Sequence, residues 1–580
     1  MGQSTGESPE TGASSETGTE TLTETPDFIG AFPRLSEAQI EVLEPWGQRR
    51  PTAAGDVLYR EGDPTCDFFV ILDGKVKIVE CFGAGNEERL IGVHGPGRFL
   101  GELNLLTGEP VFVTAAVGEP GEVLAVPVDR LREVVARDTT LGDLILRAYL
   151  LRRSLLIGLG TGFKIIGSRF SPDTRRIREF ALRNRLPHRW IDLERDGAAE
   201  ALLRALGVAP EETPVVIWGK TRLLRNPGNA ELARAIGLRS PIPPQSVSDL
   251  VVVGAGPAGL AAAVYGASEG LSTVVLDAVA TGGQAGTSPR IENYLGFPSG
   301  ISGSELAHRA VIQAGKFGAQ LNVPAQATAL DRDDGRHVLT LEDGTHLASR
   351  AVLIATGARY RKLDVPHLER FEGISVHYAA TEAELQLCRG DPVAVVGGGS
   401  SAGQAAVSLA ETTVRVHLLV RHDDPGRDMS RYLVEQIEHN PKIVVHRNTA
   451  VRELVGDDVL EELVVENLRT GEPSRLWARA LFVFIGAEPQ TGWLGSQLAI
   501  DEHGFILTGA RAAAARRDGA MDGEANGSWY AAGREPSLLE TSRPGVFAAG
   551  DVRSGSIKWL TAAAGEGAMA VRLVHEHVGA

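Results

Sequence analysis

The sequence predicts a multidomain protein with a β-roll, a small α/β domain and a larger α/β fold that contains two βαβ units. Short apolar runs separated by glycine turns fill residues 28–157, and strand and helix patterns alternate over 161–240. Two glycine-rich turns between a strand and a helix follow, at 254–259 and 397–402. At 580 residues the chain is too long for one hydrophobic core, which agrees with several domains.

The composition is that of a soluble globular protein, with 43% hydrophobic and 23% charged residues. A formal net charge of −16 without any basic run argues against a nucleic-acid partner. No apolar stretch is long enough to span a membrane, and the N-terminus lacks a signal segment. Cys66, Cys81 and Cys388 form neither a CxxC nor a zinc-binding spacing. We therefore expect a cytoplasmic protein without a metal site.

Residues 1–27 contain acids but no bases, and few apolar groups. Because such a segment cannot offset its ordering entropy by burial, we predict a disordered acidic tail.

Helical patterns at 36–44 and 128–157 flank the short strands of residues 28–157. The segment resembles the cyclic-nucleotide-binding domain of the catabolite activator and of the protein kinase A regulatory subunit. The motifs that carry this resemblance are EGD at 61–63, LDGKVKI at 72–78 and FLGELNLLTGEP at 99–110.

The resemblance implies that Gly101, Glu102 and Leu103 begin a short helix at the cyclic phosphate, with Glu102 on the ribose 2′-hydroxyl. The family's phosphate-pairing arginine is absent, because Pro110 is followed by Val-Phe-Val-Thr at 111–114. Losing that charged contact weakens a phosphate ligand. A small nucleotide, another ligand and a structural barrel therefore remain alternatives.

Residues 161–240 show the order βαβαβ with Thr213-Pro214 before the third strand, which resembles a thioredoxin or glutaredoxin domain. The resemblance implies a cis proline and a CxxC at the start of the first helix. That helix instead begins with Ser-Pro-Asp-Thr at 171–174. We expect a domain without redox activity, serving a structural or docking role, and a semi-rigid linker at 241–245.

The sequence GAGPAG at 254–259 follows an apolar strand and begins an Ala-rich helix. Its glycines permit a tight turn, close approach of a pyrophosphate, and close packing of helix on strand. An acid at the end of the next strand is placed for a ribose hydroxyl. The predicted dinucleotide site consists of Gly254, Gly256, Pro257, Ala258, Gly259 and Asp277.

A second βαβ unit spans 392–422 with the turn GGGSSA at 397–402, and a late strand ends in Gly550-Asp551. Two such units with a late Gly-Asp strand indicate that one dinucleotide fold interrupts another. We assign FAD to the first fold and a nicotinamide dinucleotide to the second.

Residues 249–580 resemble low-molecular-weight thioredoxin reductase, which implies FAD-binding segments at 249–360 and 486–580 around an NADPH-binding domain at 361–485. Basic residues after the second strand of that domain favour the 2′-phosphate of NADPH. The resemblance assigns to FAD Gly283, Gln284, Asn293, Gly357, Gly550, Asp551 and Lys558, and to NADPH Gly397, Gly399, Ser401, Ala402, Arg421 and Arg427.

The CxxC of the reductases is missing, because its place reads Val-His-Tyr-Ala-Ala-Thr-Glu at 376–382. We interpret His377 and Tyr378 as packing residues and Cys388 as a small buried residue, and we assign no catalytic residue. The segment 509–526 is predicted to be a solvated loop.

Three functions are compatible with these patterns. The first is an FAD enzyme that takes hydride from NADPH and passes electrons to an unknown acceptor, such as oxygen, a quinone or a one-electron carrier. The second is a regulatory scaffold with structural FAD. The third is a disulfide reductase that uses a cysteine from another chain. The thioredoxin reductase resemblance also implies a homodimer, and the β-roll is a candidate regulatory input.

Overall fold

The computed structural model describes residues 22–579 in two compact units. The units are Met1–Glu102 with Val113–Arg152, and Leu103–Phe112 with Arg153–Ala580. The gaps in the description are at 28, 83–86, 102–110, 219–221, 240–246, 289, 373, 379, 381, 458 and 518–533. The predicted linker at 241–245 therefore lies outside the described residues.

The first unit contains the predicted β-roll, an antiparallel sheet of order β1-β6-β3-β4 with β2 added to β6 and β5 added to β3. Buried side chains such as Phe68, Val70 and Leu124 fill its interior. Its strands are β1 (Gln48–Thr52), β2 (Val57–Tyr59), β3 (Phe68–Phe82), β4 (Glu87–His94), β5 (Phe99–Leu100) and β6 (Thr114–Val126).

Polar side chains cap the N-termini of two flanking helices, whereas the helix that follows Pro127 begins without a side-chain cap. Helix α1 (Glu37–Leu43) follows Ser36, which forms a reciprocal capping box with Gln39. The helical pattern predicted over 128–157 is divided into two helices, since α2 (Val128–Arg137) ends and α3 (Thr139–Gly158) begins on either side of Asp138. Asp138 adopts an extended conformation, and its carboxylate accepts a hydrogen bond from the N–H of Leu141.

Part of the acidic tail is ordered, which corrects the prediction for residues 22–27. Thr25 donates its N–H to the carbonyl of Val93 at 3.0 Å and accepts the Val93 N–H on its hydroxyl at 2.8 Å. Lys75 donates to the carbonyl of Leu22 at 2.8 Å. Hydrogen bonds to the sheet, mainly to its edge strand β4, therefore hold this segment in place, although it has few apolar side chains to bury. Residues 1–21 lie outside the described residues.

The second unit begins with a four-stranded sheet of order β10-β9-β7-β8, in which β7 and β8 are parallel and β9 and β10 antiparallel to their neighbours. The Thr213–Pro214 bond is cis, as the thioredoxin resemblance implies. Strand β10 was not predicted. The elements are β7 (Phe163–Gly167), α4 (Pro172–Arg183), β8 (His188–Asp192), α5 (Gly197–Ala205), β9 (Val215–Trp218), β10 (Arg222–Arg225) and α6 (Asn229–Ala235).

The predicted FAD-binding fold is a sheet of order β13-β12-β11-β16-β15-β14, with β27 beside β16. Strands β11, β12, β13, β16 and β27 are parallel, so their carboxyl ends meet at one edge. The elements are β11 (Val247–Val253), α7 (Pro257–Ser268), β12 (Thr273–Leu276), α8 (Gly303–Lys316), β13 (Gln320–Asn322), β14 (Ala327–Asp333), β15 (Arg336–Leu341), β16 (His346–Ile354), β27 (Val546–Ala548) and α14 (Leu560–Val578).

The second dinucleotide fold has a parallel sheet of order β18-β25-β19-β20-β21 and a three-stranded antiparallel sheet β22-β23-β24. Strands β17 (Ala358–Tyr360) and β26 (Ala487–Pro489) pair where the chain enters and leaves it. The elements are α9 (Leu368–Phe371), β18 (Val376–His377), α10 (Glu382–Leu387), β19 (Pro392–Val396), α11 (Ser400–Thr412), β20 (Arg415–Val420), α12 (Arg431–His439), β21 (Ile443–Arg447), β22 (Thr449–Val455), β23 (Glu462–Asn467), β24 (Pro473–Trp477) and β25 (Ala480–Val483).

The loop predicted at 509–526 begins as a helix, α13 (Gly509–Arg517), and the rest of it lies outside the described residues. Four consecutive alanines, Ala512 to Ala515, give this stretch its helix propensity. Among the described residues, no helix combines the length and apolar character needed to cross a bilayer.

Two glycines of α14 test how closely this helix packs on α7. A Cβ on Gly567 would overlap the carbonyl oxygen of Ala258, whereas Gly565 has open space around it. We predict that Gly567→Ala lowers the free energy of unfolding by about 1–3 kcal/mol through overpacking. Gly565→Ala should raise it by roughly 1 kcal/mol through helix propensity. Urea unfolding of both variants measures this, and equal effects of the two substitutions would contradict it.

Candidate dinucleotide sites

The first site forms where β11 turns into α7. Gly254 has a φ of +109°, and a Cβ there would overlap the carbonyl of Ala355 on the neighbouring strand. A Cβ on Gly259 would overlap the carbonyl oxygen of Gly254. Gly256 is the N-cap of α7 and forms no side-chain cap, while Pro257 occupies the first turn. The first-turn N–H groups and the positive end of the helix dipole therefore face the turn.

Gly283 lies opposite this turn. A Cβ on Gly283 would lie 3.0 Å from the Cα of Gly256, so only glycine fits without displacing the turn. The N–H of Gly282 donates to the carbonyl of Ala255 at 2.7 Å, which joins the two loops. Together they form a cradle of bare backbone, which is the arrangement that admits a pyrophosphate.

Asp277 follows β12 and ties the cradle together. Its carboxylate accepts N–H groups from Ala255 at 2.8 Å, Val279 at 2.9 Å and Ala280 at 3.0 Å. Burial raises the pKa of Asp277, and these N–H groups and the guanidinium of Arg183 oppose the rise. Because a carboxylate offers about four acceptor sites, one remains for a ribose hydroxyl.

The residues that follow Gly283 form a polar, partly buried cluster with Tyr360. The Gln284 amide donates to the carbonyl of Ala358, and the hydroxyls of Thr287 and Tyr360 lie 3.3 Å apart. Burial raises the pKa of Tyr360. Tyr360 was not predicted as a site residue; its place three residues after Gly357 was the available signal.

Asp551 and Lys558 lie after β27, the last strand of this fold in the chain. Lys558 donates to the carbonyl oxygen of Asp551 at 2.6 Å, and its ammonium lies 4.5 Å from the centre of the Phe505 ring. Burial raises the pKa of Asp551 and lowers that of Lys558. The N–H of Gly550 donates to Glu566 at 2.7 Å, which fixes the Gly-Asp turn.

Asn293 is exposed, and Gly357 has a φ of +64° with open space beside it. Their predicted contacts to the flavin remain predictions. A glycine cradle that any Cβ would fill, a helix N-terminus and an acid at the end of the second strand fit the phosphates and ribose of FAD.

The second site repeats this arrangement where β19 turns into α11. A Cβ on Gly397 would overlap the carbonyl of Phe484, and Gly399 is the N-cap of α11 without a side-chain cap. Ala402 is buried in the first turn, and Ser401 is exposed.

Arg421 and Arg427 follow β20, where the second ribose of such a fold is held. Both side chains are exposed, and within the described part of the chain neither forms an ion pair. Both guanidinium groups are therefore available to a 2′-phosphate.

Aromatic side chains lie in the segment 376–382, where the reductases' CxxC was expected and where the sequence has no cysteine. The Tyr378 hydroxyl donates to Glu372 at 2.6 Å, and Lys362 lies 2.8 Å from the same carboxylate. The Tyr378 ring stacks on Tyr360 with centroids 6.4 Å apart and an interplanar angle of 13°. Ala379 lies outside the described residues.

His377 and Cys388 are both buried, in agreement with their interpretation as packing residues. The His377 ring lies 5.3 Å from that of Phe482, and burial lowers the pKa of His377 to about 4. Cys388 is 5% exposed, and burial, Asp391 and Glu384 raise the pKa of its thiol to about 12. A thiol in this state is a poor nucleophile.

Comparisons with known proteins agree with this geometry. Residues 248–517 match the pyridine nucleotide-disulphide oxidoreductase family, and residues 49–138 match the cyclic nucleotide-binding domain. Thioredoxin reductase of Treponema pallidum is 33% identical over 330 residues, which cover 57% of this chain and 97% of the relative. The chain belongs to the thioredoxin reductase family.

Other relatives match the same part of the chain. A 34.2 kDa protein in the rubredoxin operon of Clostridium pasteurianum is 31% identical over 331 residues, which are 57% of this chain and 97% of that protein. The crystal structure of Lactococcus lactis thioredoxin reductase matches with a TM-score of 0.50 and 26% identity, covering 57% of this chain and 99% of the other. The chain is thus an FAD-dependent pyridine-nucleotide oxidoreductase of thioredoxin reductase type, with FAD and NADPH as its cofactors.

Only Gly101 of the three residues predicted to bind a nucleotide in the β-roll lies among the described residues, and Glu102 and Leu103 do not. Gly101 has a φ of +88°. Val111, Phe112 and Val113, which stand where the family's arginine is expected, are each 3% exposed or less. None of these three side chains carries a charge that could pair with a cyclic phosphate.

The low pKa of His377 predicts a loss of stability in acid. The ordinary pKa of histidine, near 6.5, applies to the unfolded chain, so stability is lost as pH falls from about 6.5 towards 4. Between pH 7 and pH 5 this group contributes a loss of about 2 kcal/mol. His377→Phe, which keeps a ring beside Phe482, should remove that part of the pH dependence in urea unfolding. The exposed His503→Gln serves as the control, and parallel curves for parent and H377F would refute the prediction.

From the exposed arginines after β20 we predict that the enzyme prefers NADPH to NADH. Arg421→Gln should raise the KM for NADPH by about tenfold, because it removes a charge-assisted contact to the 2′-phosphate, and leave the KM for NADH nearly unchanged. Steady-state oxidation of both nucleotides measures this. The exposed Arg431→Gln, on α12, is the charge-matched control, and equal losses with NADPH and NADH would contradict the assignment.

Proposed function

We propose that the chain oxidises NADPH through its FAD and passes the electrons to an acceptor other than a dithiol of its own. The sequence of residues 376–382 carries this proposal, because the place of the reductases' CxxC contains no cysteine. Cys388, the nearest thiol in the chain, is buried with a raised pKa. A thiolate attack on the flavin or on a partner disulfide therefore has no nucleophile in this segment.

When bound, FAD supplies the ring that accepts a hydride from NADPH. The chain's residues bind and orient the two nucleotides: the N-terminus of α11 faces the phosphates of NADPH, and Arg421 and Arg427 pair with its 2′-phosphate. Asp551 and Lys558 position the flavin end of FAD. Oxidation of one NADPH releases two electrons, so the acceptor is a two-electron oxidant such as oxygen or a quinone, or two molecules of a one-electron carrier.

The other assignments extend this proposal. The N-terminal β-roll is a regulatory input for a small ligand that does not require the arginine of the cyclic-nucleotide family. The enzyme acts as a cytoplasmic homodimer, by resemblance to thioredoxin reductase. Identical rates of flavin reduction with and without saturating cyclic nucleotide would exclude that ligand as the regulator.

The first test is anaerobic mixing of the purified yellow protein with NADPH, and separately with NADH, while the absorbance of oxidised flavin is followed. We expect rapid bleaching with NADPH and slower bleaching with NADH. A protein that stays yellow with both nucleotides would overturn the proposal and favour a scaffold with structural FAD.

A second measurement separates the proposal from disulfide reduction. Alkylation of free thiols should leave NADPH-dependent turnover with a quinone acceptor unchanged, because no cysteine takes part. Cys388→Ser provides the matched variant. Loss of turnover on alkylation would indicate that a cysteine, from this chain or from a partner, carries electrons.

A further inference from the structure

The thioredoxin-like domain contacts the FAD-binding fold next to the cradle. Helix α4 ends at Arg183, and the next residue, Asn184, donates its side-chain N–H to the carbonyl of Val279 at 3.2 Å. Arg185 donates to the hydroxyl of Ser304, in the first turn of α8, at 3.3 Å. The end of α4 is therefore held against two elements of the FAD-binding fold.

The contact of Asn184 is with the turn after Asp277, the acid predicted to bind a ribose hydroxyl of FAD. Val279 and Ala280 donate their N–H groups to Asp277, and the Val279 carbonyl accepts from Asn184. One short turn thus joins the acid of the cradle to the thioredoxin-like domain. Displacing the end of α4 would remove a hydrogen bond from this turn.

Arg183 brings a cation to this place. Its side chain is 30% exposed, and its ion pair with Glu179, one turn earlier, is long at 3.7 Å with a carboxylate that is 67% exposed. Such a pair is weak and leaves the guanidinium available to a stronger anion. Burial raises the pKa of Asp277 and of Tyr360, and the positive charge of Arg183 opposes part of both rises. This agrees with the position of Arg183 at the end of α4, next to the two residues that contact the FAD-binding fold.

A cation would add charge that the cradle itself lacks. The pyrophosphate of FAD carries two negative charges, whereas the N-terminus of α7 supplies about half a positive charge. An arginine can add a bidentate, charge-assisted contact that a helix dipole does not provide.

We propose that the thioredoxin-like domain is part of the FAD site, with Arg183 as a residue that binds the pyrophosphate and adenosine ribose half of the cofactor. Asn184 and Arg185 are positioning residues that hold the end of α4 at the turn after Asp277. This assigns the domain a structural task that needs neither its missing cysteines nor a partner protein.

The test is the affinity of the full-length apoprotein for FAD, measured by quenching of flavin fluorescence. Arg183→Gln should raise the Kd for FAD by about tenfold. The control is Arg204→Gln on α5, which removes the same charge from a side chain that is 77% exposed and pairs with Glu200. Equal FAD affinities of the two variants would overturn the proposal.

Competition by ADP locates the contact, because ADP carries the pyrophosphate and ribose but no flavin. Arg183→Gln should weaken ADP by the same factor as FAD, and a loss of FAD affinity without loss of ADP affinity would also overturn the assignment. Circular dichroism and thermal unfolding of the apoproteins report whether the variant folds. If R183Q does not fold, Arg183→Lys, which keeps the charge without the planar fork, should show a smaller rise in Kd and stronger salt sensitivity than the parent. An unchanged Kd and salt dependence in R183K would then reject the proposal. These binding measurements need no NADPH turnover, so they stand apart from the test of electron transfer.

Discussion

The FAD-binding half of the molecule depends on the close approach of backbones at a few glycines. Strand β11, helix α7 and helix α14 meet where side chains at Gly254, Gly259 and Gly567 would overlap carbonyl oxygens. This packing brings a helix N-terminus and the ends of parallel strands to one edge of the sheet, so the position of every other site residue follows from it. Asp277 and Asp551 are placed by strands that this contact holds in register.

Two segments that sequence resemblance predicts to carry a cysteine pair contain groups that stabilise structure. In the domain at 161–240, Ser171 caps the first helix and Asp173 forms an ion pair with Arg176, and the Thr213–Pro214 bond is cis. In the segment at 376–382, Tyr378 stacks on Tyr360 and donates a hydrogen bond to Glu372. In both places groups that stabilise structure stand where groups that exchange electrons are expected.

The features that could be predicted from the sequence are those determined by the spacing of residues within a short segment. The glycines of 254–259 and 397–402 lie between a strand and a helix as predicted, and Asp277 follows the next strand, because a βαβ turn leaves little freedom in its residues. The sequence did not predict the break at Asp138, strand β10, the helix at 509–517 or the order of residues 22–27. The break depends on a helix cap, and the helix at 509–517 on the helix propensity of alanine. The order of residues 22–27 depends on hydrogen bonds to an edge strand. The contact of Asn184 with Val279 spans 95 residues and leaves no periodic signal in either segment.

The nesting of one dinucleotide fold inside another also bears on how the protein is made. The cofactor cradle draws on Gly254 and Asp277, yet β27 (Val546–Ala548) and Asp551 follow Asp277 by about 270 residues. A nascent chain on the ribosome therefore exposes half a flavin pocket while the interrupting domain is already able to fold. The FAD pocket is therefore complete only after β27 and α14, near the end of the chain, have been made.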